Sequence, residues 1–270
     1  MPNPPRIDID RRSRPIPDTN KLKKMFKAKT TFIDKVGVEL EGGWDEQPDH
    51  MKHDGSVSVQ APYVGEIAGP PLAFGKVLRW VYDHNPPFVN DTCGMHVHVS
   101  FKRPLDYARL ADDSNTLKYI NDRLKSWGNA TLLGKIRPSH PFWVRLEGGN
   151  RYCKKEWHAD KQMNAHARSN FRYTQLNFCY AEHQTLEVRT LPAFADPMLA
   201  ADAVYTLVRS IEQYLREMSR PREKRIVVDL DAGDTLIGGA FNLDGEVPLS
   251  GNVLHLDGEV DTIPLIANLE

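Results

Sequence analysis

Cysteine is scarce: Cys93, Cys153 and Cys179 are the only three in 270 residues. Their number is odd and no C-x-x-C pair occurs, which argues against a disulfide framework and a thiolate zinc site and leaves reduced thiols as the expectation. Long apolar runs are missing too. Nothing approaches the roughly 18 residues that suggest a membrane span, and the start carries charges where a signal peptide needs an apolar segment. A cytoplasmic chain without membrane contact is expected. A G-x-x-x-x-G-K-[ST] phosphate loop is absent as well, which excludes one family of nucleotide sites but not nucleotide binding in general. Net charge is nearly absent, at -1 from 35 basic and 36 acidic residues.

That balance conceals an asymmetry. Arg6, Arg11, Arg12, Arg14, Lys21, Lys23, Lys24, Lys27 and Lys29 crowd the beginning, and no Lys or Arg follows Arg225. Residues 1–30 are expected to form a basic, flexible arm, extended and without a core of its own up to about Asn20. Such an arm could bind nucleic acid or another polyanion, although a solvated tail is the simpler reading of the same composition. Residues 221–270 form an acidic extension in which Leu-Asp-Gly-Glu-Val occurs twice, at Leu243 to Val247 and Leu256 to Val260. Each copy carries an Asp-Gly turn signal and predicts a hairpin.

Between these ends, residues 31–220 have the composition of a globular domain, and their candidate strands and helices make it α+β. Thr31 to Glu41 is β-branched and partly alternating, which predicts a strand ended by Gly42-Gly43. Leu72 to His84 predicts a helix closed by Pro86-Pro87. Thr92 to Phe101 alternates as a strand, and Pro104 to Trp127 suggests a pair of short helices. Arg145 to Ser169 is polar and aperiodic, as a long active-site loop would be. Phe171 to Tyr180 and Thr185 to Leu191 predict an antiparallel pair turning through residues 181–184. Ala200 to Met218 spaces Ala201, Val204, Leu207, Val208, Ile211 and Leu215 along one helical face.

Three strand segments carry candidate chemistry. In Glu39-Leu40-Glu41 the carboxylates stand at i and i+2, on one strand face within reach of one hard cation, though a solvated sheet face shows the same pattern. Met95-His96-Val97-His98-Val99 puts two imidazoles on one face and three apolar side chains on the other. Imidazole is a common metal ligand, and a satisfied or exposed pair of histidines is the competing reading. Leu186-Glu187-Val188-Arg189 again places a carboxylate and a guanidinium on one face, as a ligand beside a planar anion holder or as a cross-strand salt bridge.

Taken in order, Glu39-x-Glu41, Gly94-Met95-His96-Val97-His98-Val99-Ser100 and Glu187-x-Arg189 resemble the catalytic strands of glutamine synthetases and related carboxylate-amine ligases. Asp54-Gly55-Ser56 with Gly65-Glu66-Ile67, and Leu176-Asn177-Phe178 ahead of Thr185 to Arg189, resemble the amidoligase branch. The resemblance covers about Val36 to Pro197. It implies a curved antiparallel sheet flanked by helices that holds two magnesium ions, with manganese as a substitute. ATP and the carboxylate and amine substrates, small molecules or peptides, would approach from opposite sides.

By that resemblance Glu39, Glu41, Glu66, His96 and Glu187 are metal ligands. His96, His98, Arg172 and Asn177 would contact the nucleotide, and Arg189, with Glu66 and Asp54, would serve the chemistry. The activity implied is ATP-dependent amide formation through an acyl phosphate, with a γ-glutamyl-type donor as the natural analogy. The match is incomplete, since Ala68-Gly69-Pro70 stands where amidoligases tend to carry Ser-Pro. Two other readings stay open: a non-catalytic nucleic-acid or polyanion binder on the same fold, and a His-x-His metal-dependent oxygenase or isomerase. The latter expects a carboxylate soon after the second histidine, and Val99 to Pro104 contains none.

Overall fold

Strand β1, Ile33–Trp44, is the longest, and it alternates as its sequence requires, with Val36, Val38 and Leu40 buried on one face. It runs on through Gly42-Gly43, where a break was expected. Both glycines are there for close approach rather than for a turn: a Cβ at Gly42 would lie 2.5 Å from the Pro86 Cβ, and both residues pair with β2, Tyr63–Ala68. In a computed structural model the described residues are 18–132, 136–155, 173–179, 184–219, 237–238 and 252–253.

The other strands are β3, Gly94–Phe101, β4, Leu176–Cys179, and β5, Thr185–Pro192. Together they form one antiparallel sheet in the order β2-β1-β3-β5-β4. Among the described residues five helices lead up to or interrupt these strands: α1, Thr19–Phe26, α2, Phe74–His84, α3, Pro104–Asp112, α4, Asn115–Thr131, and α5, Pro141–Leu146. A further helix, α6, Pro197–Met218, starts at an Asp196 side chain that caps two backbone N–H groups, with proline at its first position. The fold is therefore α+β, a five-stranded antiparallel sheet flanked by helices.

One face of the sheet forms the core. Val36, Val38, Leu40, Met95, Val97, Val99, Leu186 and Val188 are all at most 1 % exposed. They share a continuous apolar cluster with Phe74, Val77, Leu78 and Val81 of α2 and Val204, Leu207, Val208, Ile211 and Leu215 of α6. Fully burying one such side chain contributes about 1.5–3 kcal/mol.

Part of the expected arm is helical. Asp18 caps α1, and Leu22 and Met25 are buried, while the Phe26 ring meets Tyr82 edge-on at 6.0 Å. Two apolar anchors on a lysine-rich segment suffice because α2 offers them a partner. The helix pair after Pro104 is also longer than expected, since α4 extends to Thr131. Residues 1–17, 156–172 and 180–183 lie outside the described residues, and with them most of the loop expected at Arg145 to Ser169 and of the turn expected at 181–184. Arg145, placed at the head of that loop, belongs to α5.

Contacts divide the chain into two compact units, Met1–Ser219 and Arg220–Glu270. In the second, Ile237–Gly238 pairs antiparallel with Asn252–Val253, and both Leu-Asp-Gly-Glu-Val copies lie outside the described residues. Among the described residues no helix is long and apolar enough to cross a membrane.

Candidate metal centre

The face opposite the core carries charge. Strand pairing sets Glu41 against Glu66 and Glu39 against His96. It also sets His98 against both Gly37 and Glu187, and Asn177 against Glu187. Side chains on one face of directly paired residues stand close together, so four strands deliver their acids and imidazoles to one patch.

His96 is the hub. Its Nδ1 lies 3.0 Å from Glu39 Oε2 and 3.8 Å from Glu187 Oε1, and its Nε2 lies 3.5 Å from Glu41 Oε1. His98 Nε2 lies 3.4 Å from Glu39 Oε1 and 4.0 Å from Glu187 Oε1, and its Nδ1 is 3.4 Å from Thr185 Oγ1. Arg189 Nη1 donates to Glu187 Oε1 at 2.5 Å, and Asn177 Nδ2 donates to the other oxygen at 2.7 Å. The Gly94 N–H donates to Glu41 Oε2 at 2.6 Å. Asp54 arrives from the β1–β2 connection, because Lys52 exchanges backbone bonds with Glu66 and lays that loop along β2. There it also makes a turn, accepting from the Ser56 N–H at 2.7 Å.

Three groups result whose ligand atoms lie within 4.8 Å of one another: Glu39 with His98 and Glu187, Glu39 with Glu66 and His96, and Glu41 with Asp54 and Glu66. Each metal ligand expected from the sequence, Glu39, Glu41, Glu66, His96 and Glu187, belongs to this patch. Asn177, Arg189 and Asp54 join it. Arg172 lies outside the described residues.

The charges show the strain of this crowding. Burial raises the Glu66 carboxyl, and Glu39, Glu41 and Asp54 raise it further, to about 7. Burial acts on Glu39 in the same direction, but its bonds to His96 and His98 win and hold it well below the usual range. Glu187 is likewise lowered against burial, by Arg189 first and then the two imidazoles. For His98 burial works against the charged form, yet Glu39 and Glu187 raise it overall. Carboxylate oxygens with one or two imidazoles form a donor set suited to a divalent magnesium or manganese ion. A carboxyl raised first by burial and then by neighbouring carboxylates is one whose charged form a cation would favour.

Beside Glu39 and His98 opens a cleft of about 560 Å3, lined also by Lys35, Gly37, Phe101, Tyr107 and Thr185. The Phe101 and Tyr107 rings meet edge-on at 6.1 Å. Sequence reading did not single out these cleft residues, nor the backbone groups of Gly94 and Tyr152 that hold Glu41 and Arg189. Only the Gly-Met-His run hinted at Gly94, and nothing in sequence marks a backbone carbonyl. Scans against protein-family models, curated proteins and solved structures find no match to this chain.

Proposed function

We propose that this chain is a cytoplasmic, ATP- and magnesium-dependent carboxylate-amine ligase of the glutamine-synthetase-like fold, in its amidoligase branch. The observation that carries the reading is the convergence of Glu39, His96 and Glu187 on one sheet face with Arg189 bonded to Glu187. Those are the positions the motif resemblance assigns to ligands and to the anion-facing guanidinium. The adjoining cleft supports it, being of the volume that small-molecule and cofactor sites usually have.

A carboxylate is a poor electrophile. In the proposed reaction an acyl-donor oxygen attacks the γ-phosphorus of ATP, ADP leaves, and an amine then displaces phosphate from the acyl phosphate. Glu39, Glu41, Glu66, His96 and Glu187 would hold magnesium, which supplies charge neutralisation at the phosphates when bound. Arg189 presents a planar cation to the transferred group and is itself held by Glu187. His98 and Asn177 line the approach to the nucleotide. Glu66 and Asp54 are the carboxylates we assign to accepting the proton that the attacking amine releases.

The test is ADP and phosphate release from ATP and magnesium with pooled amino acids, polyamines and small peptides, alongside direct MgATP titration. Donor-dependent release that disappears in Glu187→Ala is the expected result. Wild-type protein that binds neither Mn2+ nor MgATP would sink the reading.

A further inference from the structure

A buried polar chain runs from the helices to Arg189. Asn121 of α4, 6 % exposed, donates through Nδ2 to Gln175 Oε1 at 2.9 Å. Gln175 precedes β4 and is fully buried. Its Nε2 donates to the carbonyls of Arg145 at 2.5 Å and Leu146 at 3.0 Å, and its own carbonyl accepts the Arg189 N–H at 2.9 Å. Arg145 closes the circuit, donating from Nη1 to the Arg189 carbonyl at 3.4 Å. One network therefore holds both backbone groups of Arg189. It does so at the bulge where β5 spends three steps, Val188 to Leu191, against two on β3, Val97 to Met95. Bulges re-aim the side chains they carry, so their backbone must be pinned if the aim is to be fixed.

Arg145 is the costly member. It is 1 % exposed, its Nε has no partner, and among the described residues it enters no ion pair. A guanidinium buried without a contacting anion is unfavourable, and burial lowers its basicity. Its place is reserved by the sequence of β3: a Cβ on Gly94 would lie 2.8 Å from Nη1 and 3.0 Å from Nη2. The same Gly94 gives its N–H to Glu41. An apolar side chain would fill this volume at lower cost but could not donate to the bulge.

We propose that Arg145 is a positioning residue, which locks the β5 bulge and so fixes the Arg189 guanidinium in its pose on Glu187 and Tyr152. What Arg189 is held for rests on the ligase reading; that it is held does not.

The experiment records arginine 15Nε–1Hε spectra of the full chain, with the Arg189 signal assigned through Arg189→Lys. Wild type is expected to show a sharp, slowly exchanging Arg189 resonance, because Nε donates to the Tyr152 carbonyl at 3.4 Å. Arg145→Met is expected to broaden or lose it. Gly94→Ala is expected to do the same with every charge kept, by displacing the guanidinium, and it decides the matter if Arg145→Met fails to fold. Loss of general stability alone would leave the resonance sharp in the folded fraction. A sharp, unshifted Arg189 signal in folded Arg145→Met and Gly94→Ala overturns the proposal. Magnesium pyrophosphate affinity should fall on the order of tenfold in Arg145→Met, as for other groups that orient a site from behind, and equally in Arg189→Met. The double variant should fall no further; a multiplied loss overturns the coupling. A held Arg189 in a wild-type protein that ignores MgATP would remove the ligase reading and leave the positioning role standing.

Discussion

The two faces of the central sheet use the same strands and differ in almost everything else. On β1, Val36, Val38 and Leu40 enter the core, while Gly37, Glu39 and Glu41 point to the charged side. On β3, Met95, Val97 and Val99 are interleaved with His96 and His98 in the same way. One face obtains its stability from burial against α2 and α6. The other gathers acids, and burial first, then their mutual repulsion, raises the Glu66 carboxyl. A strand's period of two lets stability and chemistry be set almost independently on one backbone, and a register slip of one residue would exchange them.

The sharpest way to break that comparison is to remove a proposed ligand. Glu187→Gln, which keeps an oxygen to accept from Arg189, is expected to weaken Mn2+ binding by on the order of 100-fold or more while the protein stays folded. A paramagnetic resonance titration reads this, and wild-type affinity in a folded variant removes Glu187 from the site. On the core face Met95→Ala should cost about 2–5 kcal/mol in urea unfolding and leave Mn2+ affinity intact. Equal damage to both quantities would mean that the two faces are not separable.

His140 tests the core side by pH. Its Nδ1 accepts from the Phe142 N–H at the start of α5, and burial depresses its pKa from 6.5 to about 4. The unfolded chain then binds the proton more readily. Stability is full above about pH 6.5 and falls as pH drops through 4, by about 2–3 kcal/mol. His140→Asn puts a capping oxygen in place of the ring nitrogen and does not titrate, so its urea midpoint should change less between pH 7.5 and 4.5; an identical change in both proteins rules this out.

Glu66 gives the smallest effect, with the opposite sign. A carboxyl raised from 4.5 to about 7 is fully accommodated below pH 4.5 and destabilises progressively as pH rises to 7. Glu66→Gln should therefore stabilise the metal-free protein at pH 8 by about 1–2 kcal/mol, allowing for solvent screening, while weakening Mn2+ binding. Matched stabilities at pH 8 would show that the acids on this face do not oppose folding. Added Mn2+ should raise wild-type stability by mass action and do so less in the variant.

Much of this division was legible in the sequence, because alternation is a local property. Glu39-x-Glu41, His96-x-His98 and Glu187-x-Arg189 each declare their own face, and the apolar residues between them declare the other. Gly42-Gly43 misled for a physical reason: glycine marks turns, but it also marks places where backbone and side chains of neighbours come close, and Pro86 and Phe88 do so here. Helix α1 was hidden by its lysines, since Leu22 and Met25 alone among its side chains are buried. The Asn121, Gln175 and Arg145 network left no signal at all, because a polar residue destined for burial looks in sequence like one destined for water.

Composition and period thus determined by themselves that strands would alternate, that acids and imidazoles would share a face within each strand, and that α6 would be amphipathic. Only the tertiary structure decided that β3 lies between β1 and β5, that Glu39 meets His96 and Glu41 meets Glu66, and that Asp54 is folded back beside them. Strand order and register are set by burying one shared apolar face across segments distant in the chain. No local propensity encodes that choice, and the charged patch exists only once it has been made.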